Sequence, residues 1–334
     1  MKAKIIGILV VTLLILTAFT GFAMEIKLKS IDTDYSNINQ VFLKDKVLKG
    51  INNPGLSHKF GIMLHKLRTR TYLVYRPTNY DGIDPVPLVL VLHGSSNTAK
   101  NASKRFEVSE KAEENGFITV YLDGVCKLPR FRNWNMGFGF GFAYHLKVDD
   151  VGFIKKLIKK MQQRFNIDSD KIYIAGHSAG AMMTYRLASE LSDVVAAIAS
   201  NGGTIGGHMK DYPMWQISKP DNPVSIVHFH GKQDYIVPYD GGWNLGGSVY
   251  YLSVNDSITF WVEQNGCNIY PETNVSGNVT IDKYTGGDAG TEVWLYTVNN
   301  KGHIWFGGQS WEDPNPEIST TDEMWEFFKS HPKQ

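Results

Sequence analysis

Apolar residues recur along this chain with two different periods, and the two periods alternate. Residues 88–92 are continuously apolar, which is typical of a central parallel strand that is covered on both faces. Residues 150–165 instead place apolar side chains at helical spacing. The same patterns predict strands at 69–75, 117–121, 171–175, 194–200, 225–230, 279–284 and 292–298, and helices at 102–115, 181–188, 254–264 and 320–330. This alternation predicts an α/β fold with a mostly parallel, doubly wound sheet and helices on both faces, whose sites lie outside the carboxyl ends of the strands.

One long segment, residues 123–148, has neither period. It is rich in glycine and in aromatic residues, namely Phe131, Trp134, Phe138, Phe140, Phe142 and Tyr144. Long ordered loops in compact domains are usually functional, so we expect this segment to contribute to a site. The alternative is a hydrophobic flap that only covers the core. Asp149 and Asp150, which follow the segment, are expected to cap the next helix.

The first residues differ from the rest of the chain. Lys2 and Lys4 precede an almost wholly apolar stretch that ends in small residues at Gly21 and Ala23. This order is typical of a secretory signal peptide over residues 1–23, with cleavage after Ala23. The alternative is an uncleaved membrane anchor, because the apolar stretch approaches spanning length. Residues 24–60 would then be an N-terminal extension, either a linker or a strand and loop, and residues 61–334 are expected to form a single domain.

Composition adds two constraints. The formal net charge is +1 and no basic run stands out, which argues against nucleic acid or an anionic membrane surface as a partner. The chain has two cysteines, Cys126 and Cys267. In an exported chain they can form one disulfide, but the sequence alone does not pair them.

The pentapeptide Gly-His-Ser-Ala-Gly at residues 176–180 joins a predicted strand to a predicted helix. Strand, sharp turn and helix are the context in which a G-x-S-x-G motif presents a nucleophilic serine, here Ser178. The turn strains the serine backbone and leaves room only for small residues two positions before and after it. The N-terminal dipole of the helix favours negative charge beside the serine. The alternative is a Gly-Ser turn that matches the motif by chance.

A nucleophilic serine needs a base, and the base needs an acid that orients it. On this type of sheet the partners follow in the order Ser, Asp or Glu, then His, and each lies just past a strand end. Asp234 and His303 occupy such positions. Asp240 is the alternative acid, and Asp221 is a weaker one because it precedes its strand. His331 in the C-terminal tail is the competing histidine.

His228 and His230 lie at period two on one predicted strand, which is compatible with a metal pair. Neither has a cysteine at ligand spacing, so we interpret both as packing histidines. The predicted chemistry needs no metal and no cofactor.

A tetrahedral oxyanion needs two backbone N–H donors. One is expected from Ala179, the residue after the nucleophile. The other is expected from the loop after the strand at 88–92, where Ser95 is the first choice and Ser96 stays open. Gly94 lets the backbone of that loop approach closely.

Taken in order, these motifs resemble secreted esterases of the polyhydroxybutyrate-depolymerase and feruloyl-esterase type, a branch of the α/β-hydrolases that includes carbohydrate esterases. The resemblance spans roughly residues 68–331, and its pieces are Leu92-His93-Gly94, Trp134-Asn135, Asp-Asp-Val-Gly-Phe-Ile at 149–154, Gly-His-Ser-Ala-Gly-Ala-Met-Met at 176–183, His-Gly-Lys-Gln-Asp at 230–234, Val-Pro-Tyr at 237–239, Asn-Gly-Cys at 265–267 and Gly-His-Ile-Trp-Phe-Gly-Gly at 302–308. The sequence departs from the family's pattern at Phe306, where proline is usual, at Ala179, where glycine or asparagine is common, and after Trp134, where cysteines are often present.

The resemblance implies a single α/β-hydrolase catalytic domain that cleaves carboxylic esters through an acyl-enzyme. The implied partner is an ester substrate, either linked to polysaccharide or a polyester. Feruloyl or other aryl esters of plant polysaccharide are expected first, with short-chain polyesters such as polyhydroxybutyrate, or acetylxylan, as alternatives. A catalytically silent hydrolase-fold binding protein is the alternative outside enzymes.

Three residues are expected to bind substrate: His93, Trp134 and Trp305. Trp305 follows the predicted base by two residues, and Trp134 lies in the aromatic segment. Aromatic walls favour a flat acyl group, which is the reason for placing aryl esters before long aliphatic ones. The alternative is that both tryptophans only pack the loops.

Overall fold

The structure is a computed structural model that describes residues 47–49, 57–126, 131–139, 141–309, 313 and 315–334. The expected signal peptide therefore lies outside the described residues. The strands run over Val47–Lys49 (β1), Ser57–His65 (β2), Arg68–Tyr75 (β3), Val86–Leu92 (β4), Ile118–Leu122 (β5), Ile167–His177 (β6), Ala197–Asn201 (β7), Gly206–Met209 (β8), Trp215–Gln216 (β9), Ser225–Gly231 (β10), Gly242–Trp243 (β11), Val249–Tyr251 (β12), Glu272–Ser276 (β13), Val279–Tyr284 (β14) and Val293–Val298 (β15).

Within these residues, eleven strands form one sheet in the order β1-β2-β3-β5-β4-β6-β7-β10-β15-β14-β13. The six central strands, from β5 to β15, pair in parallel, whereas the pairs at both edges are antiparallel. The predicted mostly parallel sheet is thus confirmed. Because β6, β7, β10 and β15 are neighbours and parallel, the loops that follow them leave the same edge of the sheet.

Seven helices are described: Ala99–Arg105 (α1), Val108–Asn115 (α2), Phe142–His145 (α3), Asp150–Arg164 (α4), Ala179–Glu190 (α5), Val254–Gln264 (α6) and Thr320–Ser330 (α7). Buried side chains of α4, α5 and α6 form one core with Leu88 and Leu90 of β4. Those of α1, α2 and α7 form a second core with Val89 and Val91 of the same strand. The continuous apolar run of β4 is explained by this alternation, since each face of the strand is covered by helices.

The segment between β5 and α4 is partly core. Trp134, Met136 and Phe138 are buried, and Val125 pairs with Asn133 in an isolated bridge. Part of the predicted loop therefore packs as a flap, and α3 lies within it.

Two predictions about helices need correction. The single helix expected at 102–115 is two helices, because the backbone reverses at Glu107, whose φ is +56°. The capping role expected for both aspartates holds for Asp149, whose side chain accepts the Gly152 N–H at 2.9 Å. Asp150 instead forms a buried ion pair with Arg70 of β3 at 2.6 Å.

A second, four-stranded sheet is built from the loops that follow β7 and β10, in the order β11-β12-β8-β9 among the described strands. Cys126 and Cys267 are both free thiols rather than a disulfide, with Cys267 buried and Cys126 half-buried. In the described part of the chain, no helix has the length and apolar character needed to span a bilayer.

His58 of β2 is enclosed where the sheet edge meets α2. Its Nε2 lies 2.8 Å from Ser109 Oγ, which lies 2.8 Å from the Tyr121 hydroxyl. The imidazole is also within 5.4 Å of the Tyr75 ring, centroid to centroid. Burial lowers the pKa of His58 to about 4, because desolvation disfavours the charged ring.

This burial predicts a loss of stability in mild acid. Between its ordinary pKa of 6.5 and about 4, the unfolded chain binds a proton at His58 that the folded chain does not. The free energy of unfolding should therefore fall as the pH falls through this window, by up to about 1.4 kcal/mol per pH unit from this residue. Urea unfolding at pH 7.5 and pH 5 measures the effect, and His58→Gln should lose less stability between the two than the wild type.

The matched control is His145→Gln, because His145 is exposed. It should show the wild-type dependence on pH. If His58→Gln loses as much stability on acidification as the wild type, His58 is not the group that resists protonation.

Candidate active site

Ser178 lies at the turn between β6 and α5 in a strained backbone conformation. Its φ is +56° and its ψ is −122°, a combination that non-glycine residues rarely adopt. Its N–H donates to the Asn201 carbonyl at 2.9 Å, which ties the turn to the end of β7. The strain holds the serine side chain at the carboxyl edge of the sheet.

The glycines on either side of Ser178 are required by close backbone contacts. A Cβ atom at position 176 would lie 2.4 Å from the carbonyl carbon of Gly180, and one at position 180 would lie 2.3 Å from the Leu92 carbonyl oxygen. A Cβ atom at position 94 would lie 3.1 Å from the Ser178 Cβ. The loop after β4 therefore passes directly beside the serine, as the sequence predicted for Gly94.

Asp234 lies on the loop after β10 with its carboxylate buried. Its Oδ1 accepts the backbone N–H groups of Ile236 and Val237, each at 2.8 Å. Its Oδ2 lies 2.6 Å from His303 Nδ1 and 3.3 Å from His230 Nε2. Burial acts to raise the pKa of Asp234, but hydrogen bonds from His230 and His303 outweigh it and hold that pKa well below its usual range.

His303 lies on the loop after β15, and the two loops are joined by backbone contacts. Gln233 N–H donates to the Lys301 carbonyl at 2.9 Å, and a Cβ atom at position 231 would lie only 2.3 Å from the same oxygen. The His303 side chain is 14% exposed, so one edge of the ring reaches solvent. Because Asp234 binds Nδ1, Nε2 on the opposite edge is the nitrogen available for proton transfer.

The competing residues lie elsewhere. The Asp240 side chain is 80% exposed and pairs with Lys232, and Asp221 is exposed before β10. His331 ends α7 and stacks on Phe327. Among the predicted acids, Asp234 is the one that contacts His303.

The sequence did not single out His177 and Gly202, both of which contact the catalytic histidine candidate. The His177 ring lies 4.8 Å from that of His303, and its Nδ1 is 3.0 Å from the Asn201 side-chain oxygen. Burial, and then the neighbouring His303, lower the pKa of His177 to about 3, so its ring is neutral. Gly202 has a φ of +64°, and a Cβ atom there would lie 3.2 Å from His303 Nδ1. The Asn-Gly-Gly run after β7 was the available signal.

His93 orients the loop that passes Ser178. Its Nε2 accepts the Gly124 N–H at 3.0 Å, so the ring proton is on Nδ1, which donates to the Gly94 carbonyl at 2.6 Å. With that carbonyl turned toward His93, the N–H of the same peptide unit, which belongs to Ser95, points the other way. The Ser96 N–H already donates to the Arg132 carbonyl at 2.8 Å, so the Ser95 N–H is the better candidate donor to an oxyanion.

Ala179 is the first residue of α5, a helix of 12 residues. N–H groups in the first turn have no partner within their own helix. The Ala179 N–H is thus a second donor at the turn, and the helix dipole adds to its effect on an anion.

The prediction that His93, Trp134 and Trp305 contact substrate is wrong, because all three are buried. His93 and Trp134 are 0% exposed, and Trp134 Nε1 donates to the His93 carbonyl at 2.8 Å. Trp305 is 1% exposed, stacks on Phe106 at 4.2 Å and donates to Thr321. These side chains support the loops that carry the site.

His228 and His230 are fully buried and contact each other at 3.0 Å. The described residues contain no group of three or more His, Cys, Asp or Glu side chains arranged to hold a metal ion.

Comparisons with known proteins show that the chain is similar to esterases. The family model of esterase polyhydroxybutyrate depolymerases matches residues 70–215. Feruloyl esterase B of Piromyces equi is 28% identical over 237 residues, which are 70% of this chain but 42% of that protein, so the chain spans less than half of its length. The putative esterase NocK of Nocardia uniformis subsp. tsuyamanensis is 24% identical over 261 residues, or 72% of each chain.

The chain also resembles solved structures in its fold. The acetyl xylan esterase from Aspergillus awamori superposes with a TM-score of 0.54 at 14% identity, covering 81% of this chain and 98% of that one. The shared fold is that of the α/β-hydrolases. The resemblance to α/β-hydrolase esterases of the polyhydroxybutyrate-depolymerase and feruloyl-esterase type, which the sequence predicted, is thus confirmed.

Proposed function

We propose that this protein is a serine esterase in which Ser178, His303 and Asp234 form the catalytic triad. The observation that carries the proposal is the 2.6 Å contact between His303 Nδ1 and the buried Asp234 carboxylate, at the same sheet edge as the strained Ser178 turn. An ionised acid that binds one ring nitrogen fixes the tautomer in which the other accepts a proton.

The reaction follows from these roles. His303 Nε2 takes the proton of the Ser178 hydroxyl as Oγ attacks the ester carbonyl, and the N–H groups of Ser95 and Ala179 donate to the resulting oxyanion. Collapse of the tetrahedral intermediate breaks the bond to the alcohol, which receives the proton from His303, and leaves an acyl group on Ser178. Water then repeats the sequence with His303 as base, which releases the acid and restores the serine.

The substrates we propose are feruloyl or other aryl esters of plant polysaccharide. Because Trp134 and Trp305 are buried, the case for an aryl acyl group rests on the sequence relatives and no longer on aromatic walls. Short-chain polyesters are the second candidate, supported by the matching family model, and acetylxylan is a third. The basic and apolar residues at the N-terminus support export of the enzyme.

The first test concerns the nucleophile and the base. Ser178→Ala should lower kcat on an activated ester by about a million-fold, and His303→Ala by about as much. The double variant should lose little more, because the two residues act as a unit. Steady-state kinetics with p-nitrophenyl acetate measures all three. Multiplying losses, or substantial turnover by Ser178→Ala, would contradict the triad. A wild type without turnover on this ester would instead make a silent binding protein the better description.

The chain offers a matched pair for the acid. Asp234→Asn should lower kcat by about ten-thousand-fold, since an amide favours the wrong histidine tautomer. Asp240→Asn makes the same chemical change at an exposed aspartate that pairs with Lys232. This variant should keep the wild-type kcat. Comparable losses in the two variants would overturn the assignment of Asp234.

The substrate prediction is tested by comparing kcat/KM for methyl ferulate, acetylated xylan and hydroxybutyrate oligomers. We expect methyl ferulate to be cleaved most efficiently, with Ser178→Ala as the control for enzyme-dependent release. A wild type that ignores methyl ferulate but cleaves hydroxybutyrate oligomers would make the polyester reading the correct one.

A further inference from the structure

A line of three buried side chains runs from α5 to the carboxylate of Asp234. The Tyr185 hydroxyl lies 2.6 Å from His228 Nδ1, His228 Nε2 lies 3.0 Å from His230 Nδ1, and His230 Nε2 lies 3.3 Å from Asp234 Oδ2. All three side chains are 0% exposed. Buried polar groups of this kind are costly unless they are paired, so the order of donors and acceptors matters.

The direction of the line is set at one end by a backbone carbonyl. His230 Nε2 lies 2.9 Å from the Val237 carbonyl oxygen, and a carbonyl only accepts. Nε2 of His230 therefore carries a proton, and in the neutral form of the ring Nδ1 is the acceptor.

The rest of the line follows from that assignment. His228 must donate from Nε2 to His230, so His228 Nδ1 accepts the Tyr185 hydroxyl proton. Burial, and then the neighbouring His230, lower the pKa of His228 well below its ordinary value, which keeps this ring neutral. Tyr185 then donates to His228, His228 donates to His230, and the N–H of His230 points toward Asp234.

We propose that His230 is a positioning residue of the catalytic triad, which shares its Nε2 proton between the Val237 carbonyl and the same Asp234 oxygen that binds His303. The inference rests on the proposed function, because it assigns His230 a role in that reaction. It also replaces the interpretation of His230 as packing alone.

Sharing one oxygen has a definite consequence. A second donor on Oδ2 draws electron density from that oxygen and makes it a weaker acceptor for His303 Nδ1–H. Oδ1 is fixed independently by two backbone N–H groups, so the carboxylate stays in place when His230 is changed. Besides His228, the described titratable groups that face this pair are His177 beside His303, Tyr239, whose ring lies 5.7 Å from that of His230, and Tyr251, whose pKa is raised by burial and then by Asp234.

Two substitutions at His230 distinguish the effect of its N–H donation to Asp234 from the effect of its packing in the core. Glutamine places its amide nitrogen near the position of Nε2 and keeps the donor to Asp234, whereas asparagine reaches only the position of Nδ1 and loses it. In His230→Asn the His303 Nδ1–H should bind Asp234 more strongly, so its proton resonance should move downfield. The acid limb of the kcat/KM profile should move to higher pH by roughly 0.5–1 unit, and the maximum should fall about tenfold. His230→Gln should keep the wild-type resonance and acid limb.

The matched control is His331→Asn, which makes the same change at a buried histidine on α7. It should lose stability yet leave both readouts unchanged. If His230→Asn leaves both readouts at their wild-type values, or if His230→Gln shifts them equally, His230 does not act through donation to Asp234.

Nitrogen NMR of histidine-labelled wild type gives a measurement that needs no variant. The proposal requires the proton of His230 on Nε2, and a proton on Nδ1 would overturn it even if His230→Asn does not fold. These spectra are independent of turnover. A protein inactive on every ester would refute the proposed function, while the His303 Nδ1–H resonance in His230→Asn and His230→Gln would still decide whether His230 donates to Asp234.

Discussion

The geometry of this site depends on the absence of side-chain atoms at two positions. Without a Cβ at Gly180, the first turn of α5 lies against the Leu92 carbonyl at the end of β4, and Gly176 lies against Gly180 in the same way. A methyl group at either position would lie within 2.4 Å of backbone atoms, so the helix would have to move away from the sheet. The strained φ of Ser178 persists because these contacts and the hydrogen bond to Asn201 leave the turn no alternative.

The other two residues of the proposed triad are brought together by strand order. β7, β10 and β15 are parallel neighbours, so residues 69 positions apart in sequence, Asp234 and His303, meet at 2.6 Å. The close approach of Gly231 to the Lys301 carbonyl fixes the two loops to each other. Positioning therefore comes from backbone contacts between loops, and the side chains need little freedom of their own, which is what preorganised catalysis requires.

The sequence predicted the features that depend on local residue patterns, and it missed those that depend on the direction in which a side chain points. Long apolar runs located the central strands, and the order of Asp and His after the serine identified two residues that meet, Asp234 and His303. The strands β8, β9, β11 and β12 have two to four residues each, too few for a period to register. Trp305 was expected at the site because it follows His303 by two residues, but sequence distance does not give side-chain direction, and the ring turns inward onto Phe106. His93 is likewise only two positions from Ser95 in sequence, but its ring is buried, as is that of Trp134, which donates to the His93 carbonyl.

The surroundings of Asp234 explain how a buried carboxylate is kept ionised without a cation. Its two oxygens face four N–H groups: two from the backbone, one from His303, and one from His230 that is shared with the Val237 carbonyl. Dipolar donors stabilise the anion without the desolvation cost of a second buried charge. In the proposed reaction, a permanent cation in place of His230 would compete with the charge that develops on His303. A histidine whose Nε2 proton is shared with the Val237 carbonyl supports the carboxylate and, under this proposal, leaves most of its charge for the imidazolium of the transition state.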